Sequence, residues 1–290
     1  MAKSLVKKLM NLDDSYDVLF LHGGATTQFM QIPMNLLDEG ETAAYCDHGI
    51  WGSKAIKEAS LFGTVNTVAS SKDKKYTYLN KGFDIPENSK YLHITTNNTV
   101  EGTQWHSFPT TTVPIVADMS SDIFSRTMNF KQFSLIYAGA QKNMGPAGTT
   151  LVVVKEEILG KTNRHIPSML DYQQHIAKES MYNTPAVFAI YSSLLTLKWL
   201  KNLGGISAIE KINEAKKLEE VLGKEVYLIT ERTVFSDKYI FANMLHADGF
   251  ISDAGMVAYD MWNDIFSKEC KVDKTIYLTT KPEVCIERVR

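Results

Sequence analysis

Leu135-Ile-Tyr-Ala-Gly-Ala-Gln-Lys-Asn-Met-Gly-Pro-Ala-Gly148 opens as a strand and breaks into small residues around a single lysine, Lys142. The run Leu135 to Ala138 is short, apolar and closed by glycine, as expected of a strand covered on both faces. Small neighbours let a flat ring approach the backbone. An amine held there, away from water, has its pKa lowered and can attack an aldehyde. A loop lysine in water fits the same string, because lysines are seldom buried.

The same punctuation recurs along the chain. Strands are expected at Asp17 to Leu21, Thr42 to Tyr45, Thr64 to Val68, Tyr91 to Thr95, Val113 to Ala117 and Leu151 to Val154, and helices at Thr26 to Leu37 and Trp51 to Phe62. Strands separated by helical crossovers predict an α/β fold: a mainly parallel sheet with helices on both faces and ligands at the carboxyl ends of the strands. Met181 to Leu203 reads as a long helix stopped by Gly204-Gly205, and Ile206 to Leu222 as a second helix rich in Lys and Glu. Beyond Gly223 the pattern changes without a flexible linker, with strands expected at Val226 to Ile229 and Thr275 to Leu278.

At 290 residues the chain is long enough for about two domains. Thirty-one Lys and Arg against 33 Asp and Glu leave no general field for nucleic acid or an acidic membrane surface. Cys46, Cys270 and Cys285 are too scattered for a disulfide framework or a CxxC metal site, so a reducing cytoplasm is the expected compartment. No apolar run approaches a membrane span, and Met1 to Leu12 mixes lysines among apolar residues without a signal-peptide core. No metal site is expected.

Three further places carry chemistry. The strand at Val113 to Ala117 runs into Asp118-Met-Ser-Ser121, which puts a carboxylate at the sheet rim. Such an acid can pair with a pyridine nitrogen and keep it protonated, making the ring an electron sink; it can equally be a helix N-cap. Gly23-Gly-Ala-Thr-Thr-Gln-Phe29 follows the first strand and opens a helix, whose free N–H groups can bind a phosphate; a plain tight turn reads the same way. Trp51, after Asp47-His-Gly-Ile, can stack on a ring or simply pack in the core.

Taken in order, HGGATTQFM, HGIWGSKAIKEA, HITTNNTVEGT, VADMSSDIFSR, AGAQKNMGPAG and MYNTPAVFAIY resemble the phosphoserine aminotransferase family from about Leu5 to Glu219. The resemblance implies a homodimer with the large domain of fold type I pyridoxal-phosphate (PLP) enzymes. It also implies amino transfer from glutamate to 3-phosphohydroxypyruvate, giving phosphoserine and 2-oxoglutarate. Lys142 would hold PLP as a Schiff base and shuttle the proton, and Asp118 would pair with the pyridine nitrogen. Trp51 would stack on the ring and Thr99 would contact the side bearing its hydroxyl. Ala25 and Thr26 would give N–H groups to the phosphate, with Ser120 and Gln141 completing the cup. Asn183 and Thr184 would reach the partner subunit's phosphate.

The resemblance begins inside the family's pattern. The family's amino-terminal segment, with a His-Arg pair that helps bind substrate, has no counterpart before Met1, and its carboxyl-terminal small domain is not matched. Instead, Tyr227-Leu-Ile-Thr-Glu-Arg-Thr-Val-Phe-Ser-Asp-Lys-Tyr-Ile-Phe241 and Ile276-Tyr-Leu-Thr-Thr-Lys-Pro-Glu-Val-Cys-Ile-Glu-Arg288 resemble deoxynucleoside kinases over about 224–290. That resemblance places Glu231 and Arg232 near a phosphate acceptor and Asp237 in a nucleoside pocket, although an ordinary ion pair on a packed fragment explains Glu231 and Arg232 as well. No GxxxxGK[ST] occurs in the chain to cradle ATP phosphates. The expected domains are therefore a truncated aminotransferase large domain at 1–222 and a partial α/β kinase-like segment at 223–290. The alternatives are a kinase fragment and an inactive fusion that still binds PLP.

Overall fold

Runs such as Leu-Ile-Tyr-Ala-Gly at 135–139 are too short and too apolar to stand alone, and become stable only as inner strands of a covered sheet. The structure, a computed structural model, describes residues 1–217, 243–247, 249 and 252–266. The chain divides into two compact units, Met1–Leu218 and Glu219–Arg290.

In the first unit the elements run α1 (Ala2–Leu9), β1 (Tyr16–Leu21), α2 (Gly24–Leu36), β2 (Thr42–Asp47), α3 (Ile50–Ala59), β3 (Thr64–Ser70), β4 (Ser89–Thr95), a hairpin of β5 (Asn97–Asn98) and β6 (Thr103–Gln104), β7 (Ile115–Asp118), β8 (Leu135–Gly139), β9 (Thr150–Lys155), α4 (Tyr172–Ala177), α5 (Val187–Leu203) and α6 (Ile206–Lys217). Seven strands form one sheet in the order β1-β9-β8-β7-β4-β2-β3. Strands β8, β7, β4, β2 and β3 are mutually parallel, and β9 runs antiparallel to both β8 and β1. The expected mainly parallel sheet is present, with an antiparallel margin that apolar runs alone do not reveal.

Side chains alternate across the strands and divide the core in two. Val18, Leu92, Ile115, Ala117 and Ile136 face a layer holding Val6 of α1, Leu197 and Leu200 of α5 and Ile206 of α6. Leu19, Tyr45, Tyr91, Val116 and Tyr137 face Phe29 and Ile32 of α2, Ala55 and Ala59 of α3, and Tyr172 of α4. Burying each large apolar side chain contributes about 1.5–3 kcal/mol.

One local reading is corrected. The helix expected from Met181 begins only at Val187, because Pro185 lacks an N–H and its ring disfavours helical backbone at Thr184. Its end is as expected: Gly204 adopts φ +115° and the Gly204 and Gly205 N–H groups return to Lys201 and Leu200. The lysine-bearing stretch at the start of the chain forms α1, which buries Val6 on the sheet, with Met10 buried just past its end.

Helices Asn243–Ala247 and Asp253–Phe266 are described in the second unit, joined by a 2.9 Å contact between His246 Nε2 and Asp253 Oδ1. The strands expected at Val226 to Ile229 and Thr275 to Leu278, and Glu231, Arg232, Asp237, Cys270 and Cys285, lie outside the described residues. Among the described residues, no helix is long and apolar enough to cross a membrane and no cluster of His, Cys, Asp and Glu could hold a metal ion. Cys46 is buried and free, its thiol pushed up to about 12 by burial.

Candidate active site

Parallel strands end on one side of the sheet, and the last residues of β2, β4, β7 and β8 are Asp47, Thr95, Asp118 and Gly139. Register places Thr95 beside Asp118 and Asp118 beside Tyr137. Asp118 is buried, and desolvation pushes its carboxyl above the ordinary aspartate range. The Ser120 N–H, which donates to Oδ1 at 2.9 Å, the Ser120 hydroxyl and the Tyr137 phenol act in the opposite direction, while the Asp122 carboxylate adds to the rise. No basic side chain among the described residues pairs with Asp118. The Thr95 hydroxyl beside it is buried and makes no hydrogen bond.

Ser120 also ties the two strand ends together, its Oγ accepting the Gly139 N–H at 3.2 Å. Past Gly139 the chain turns through Gln141 and Lys142, both exposed. Lys142 Nζ donates to the Thr99 hydroxyl at 3.4 Å, joining the β8 loop to the β5–β6 hairpin. The desolvated amine expected from the sequence is thus corrected: the small residues Ala147 and Gly148 are themselves exposed and cover nothing. Gln141 folds back so that its amide lies 2.5 Å from where a Gly139 Cβ would stand.

Helix α2 begins on Gly23 (φ +91°) and Gly24 (φ +68°), with no side chain capping its first turn. The N–H groups of Ala25 and Thr26 belong to that turn, and its positive end favours an anion. A Cβ on Gly23 would collide with the Thr27 side chain. Thr184 comes to the same place from the far end of the unit, its carbonyl 3.1 Å from His22 Nε2. Trp51 is half-buried at the start of α3, with Lys54 Nζ 4.5 Å from its ring centre. Among the described residues no hydrogen bond links Trp51 or the half-buried Asn183 to the other candidates.

The donor set fits a flat, anionic cofactor with a basic ring nitrogen. Among the described residues a buried carboxylate lacks a cation, an orphaned hydroxyl stands next to it, an amine sits on the adjoining loop, and a helix start lies bare. Sequence reading missed Thr95, Tyr137, His93 and His22. The i, i+2 spacing of His93 and Thr95 in a strand was the available signal for two of them.

The class-V aminotransferase family model matches residues 1–238, and this chain belongs to that family. More particularly, it is 62% identical over 216 residues to the phosphoserine aminotransferases of Flavobacterium psychrophilum and Flavobacterium johnsoniae, covering 74% of this chain and 61% of each relative. The chain thus spans about three fifths of the length of these curated relatives. Among solved structures, the phosphoserine aminotransferase of Bacillus circulans subsp. alkalophilus superposes with a TM-score of 0.72 at 44% identity, covering 75% of this chain and 61% of that one. The PLP-bound phosphoserine aminotransferase of Trichomonas vaginalis gives 0.70 at 30% identity, covering 76% and 63%. The deoxynucleoside kinase model matches 207–290, overlapping the first match.

Proposed function

We propose that this chain binds PLP at Lys142 and carries the amino-transfer chemistry of phosphoserine aminotransferases. The observation that carries this reading is Asp118, a buried carboxylate at the strand ends with no cationic partner among the described residues, with the Lys142 loop leaving the next strand. When bound, the cofactor supplies an aldehyde and a ring that takes up the electron pair left by a departing α-proton. Lys142 Nζ would hold the cofactor's aldehyde and, as the free amine once the substrate's amine has displaced it, would take up and return the substrate α-proton. Asp118 would keep a proton on the ring nitrogen. The Ala25 and Thr26 N–H groups, Ser120 and Gln141 would bind the phosphate, Thr99 would orient the ring hydroxyl, and Trp51 would cover one ring face. Glutamate and 3-phosphohydroxypyruvate are the proposed substrates, phosphoserine and 2-oxoglutarate the products, in serine biosynthesis.

Residues 1–222 are assigned as the aminotransferase large domain and 223–290 as a kinase-like segment. A cytoplasmic homodimer, in which Asn183 and Thr184 reach the partner's cofactor phosphate, completes the reading. Soaking the purified chain in PLP, reducing with borohydride and mapping the modified lysine tests it. A label on Lys142 is the expected result, and a colourless protein with no specific label overturns it.

A second reading rests on the kinase model's match to 207–290. ATP-dependent phosphorylation of a deoxynucleoside would support it; the absence of GxxxxGK[ST] from the sequence weighs against it.

A further inference from the structure

Behind Asp118 lies a line of buried polar side chains that the proposed chemistry does not use. Register sets His93 on β4 two residues before Thr95, on the face that Asp118 shares. His93 Nε2 is 2.9 Å from the Tyr137 hydroxyl, and both residues are fully buried. Tyr137 is also the register partner of Asp118 on the adjoining strand, so the same phenol stands on the carboxylate's face of the sheet. Tyr45 stacks on the imidazole at 4.8 Å and is held in turn by Tyr91, hydroxyl to hydroxyl at 2.8 Å.

The directions of these bonds follow from counting protons. A phenol has one, so if Tyr137 donates to Asp118, His93 must donate Nε2–H to the phenol oxygen. His93 Nδ1 then carries a bare lone pair, and Nδ1 is the buried nitrogen without a partner. Reversing the chain would leave a buried Nδ1–H without an acceptor and take the phenol away from the carboxylate. Buried donors without acceptors are rare and costly.

We propose that Tyr137 and His93 are positioning residues, a one-way hydrogen-bond relay whose dipoles converge on Asp118 and hold its carboxylate in the charged form that a cofactor ring nitrogen requires. The proposal rests on the PLP reading for its purpose, but the relay itself belongs to the chain alone. Burial pushes His93 down to about 3, so it transmits a dipole rather than a charge. Tyr137 is held well above the usual phenol range by burial and by Asp118, with Tyr45 and Tyr172 adding to the effect, so its proton stays in place. Asp122 is the acidic group working against the relay, raising the Asp118 carboxyl.

The relay is tested without cofactor by following the Asp118 carboxyl through a pH titration in the full chain labelled with 13C-aspartate. In Tyr137→Phe the Asp118 midpoint should rise; an unchanged midpoint overturns the relay. His93→Leu should raise it and His93→Gln, which keeps an N–H donor, should restore it, so this pair decides the matter if the tyrosine variant does not fold. A rise in both histidine variants would overturn the directional assignment. PLP affinity, read by protein fluorescence, should weaken about tenfold in Tyr137→Phe while borohydride still labels Lys142. Failure of the wild type to bind PLP defeats the functional reading, whereas the carboxyl midpoint alone judges the relay.

Discussion

His22 Nε2 lies 3.1 Å from the carbonyl of Thr184, joining the turn before α2 to the segment before α5 across 162 positions of sequence. That bond ties the 181–186 stretch to the turn that opens α2. It is also what a helix running through Thr184 could not have provided, since a helical carbonyl there would be directed into the next turn.

The start of α2 should be sensitive to one methyl group. Gly23→Ala must place a side chain at φ +91° and against Thr27, so about 1–3 kcal/mol of strain is expected. Urea unfolding should show that loss, and PLP affinity should fall with it as the first-turn N–H groups move.

Asp122 is buried, bonded to the Thr96 hydroxyl at 2.6 Å and paired with Arg126 at 2.9 Å. Arg126→Met would leave that carboxylate without its cation, at an expected cost of about 3–5 kcal/mol. Restoring an uncharged amide in Arg126→Met/Asp122→Asn should recover part of it, as a double-mutant cycle in urea would measure.

The two faces of α5 should respond differently. Leu197 is buried and Leu195 exposed. Leu197→Ala should cost about 2–5 kcal/mol and Leu195→Ala less than about 1 kcal/mol. Equal losses in chemical denaturation would contradict the packing of α5 on the sheet.

His93 should leave a mark on acid stability. Its folded pKa, pushed down to about 3 by burial, lies below the ordinary 6.5, so the unfolded chain takes up the proton first. Stability from this group is therefore complete above about pH 6.5 and falls with pH by up to about 1.4 kcal/mol per unit down to its folded value. Asp118, raised by desolvation, has the opposite sign: the folded state binds the proton more readily, so it favours folding as pH falls. His93→Gln should flatten the loss between about pH 6 and pH 4 in urea titrations.

Much of this molecule was legible in the sequence. Leu135 to Ala138, Val113 to Ala117 and their neighbours could be placed because a buried parallel strand must be apolar throughout, and that constraint is local. Asp118 and Lys142 could be located because each interrupts such a run at its carboxyl end. The antiparallel margin of β9 was not legible, since its residues Leu151 to Val154 satisfy either direction equally. Nor was the break at Pro185, where the flanking apolar spacing continued the helical pattern and outweighed one proline.

The sequence alone determined the order of strands and helices, the kind of sheet they build and the family motifs around Lys142, because periodicity and turn chemistry act over a few residues. Tertiary structure decided what surrounds Asp118. Its lack of a cation among the described residues, the silent Thr95 hydroxyl and the approach of Tyr137 and His93 all depend on which strands lie side by side and in what register. Register is fixed by packing both faces of the sheet at once, an energy summed over distant residues that no local stretch contains.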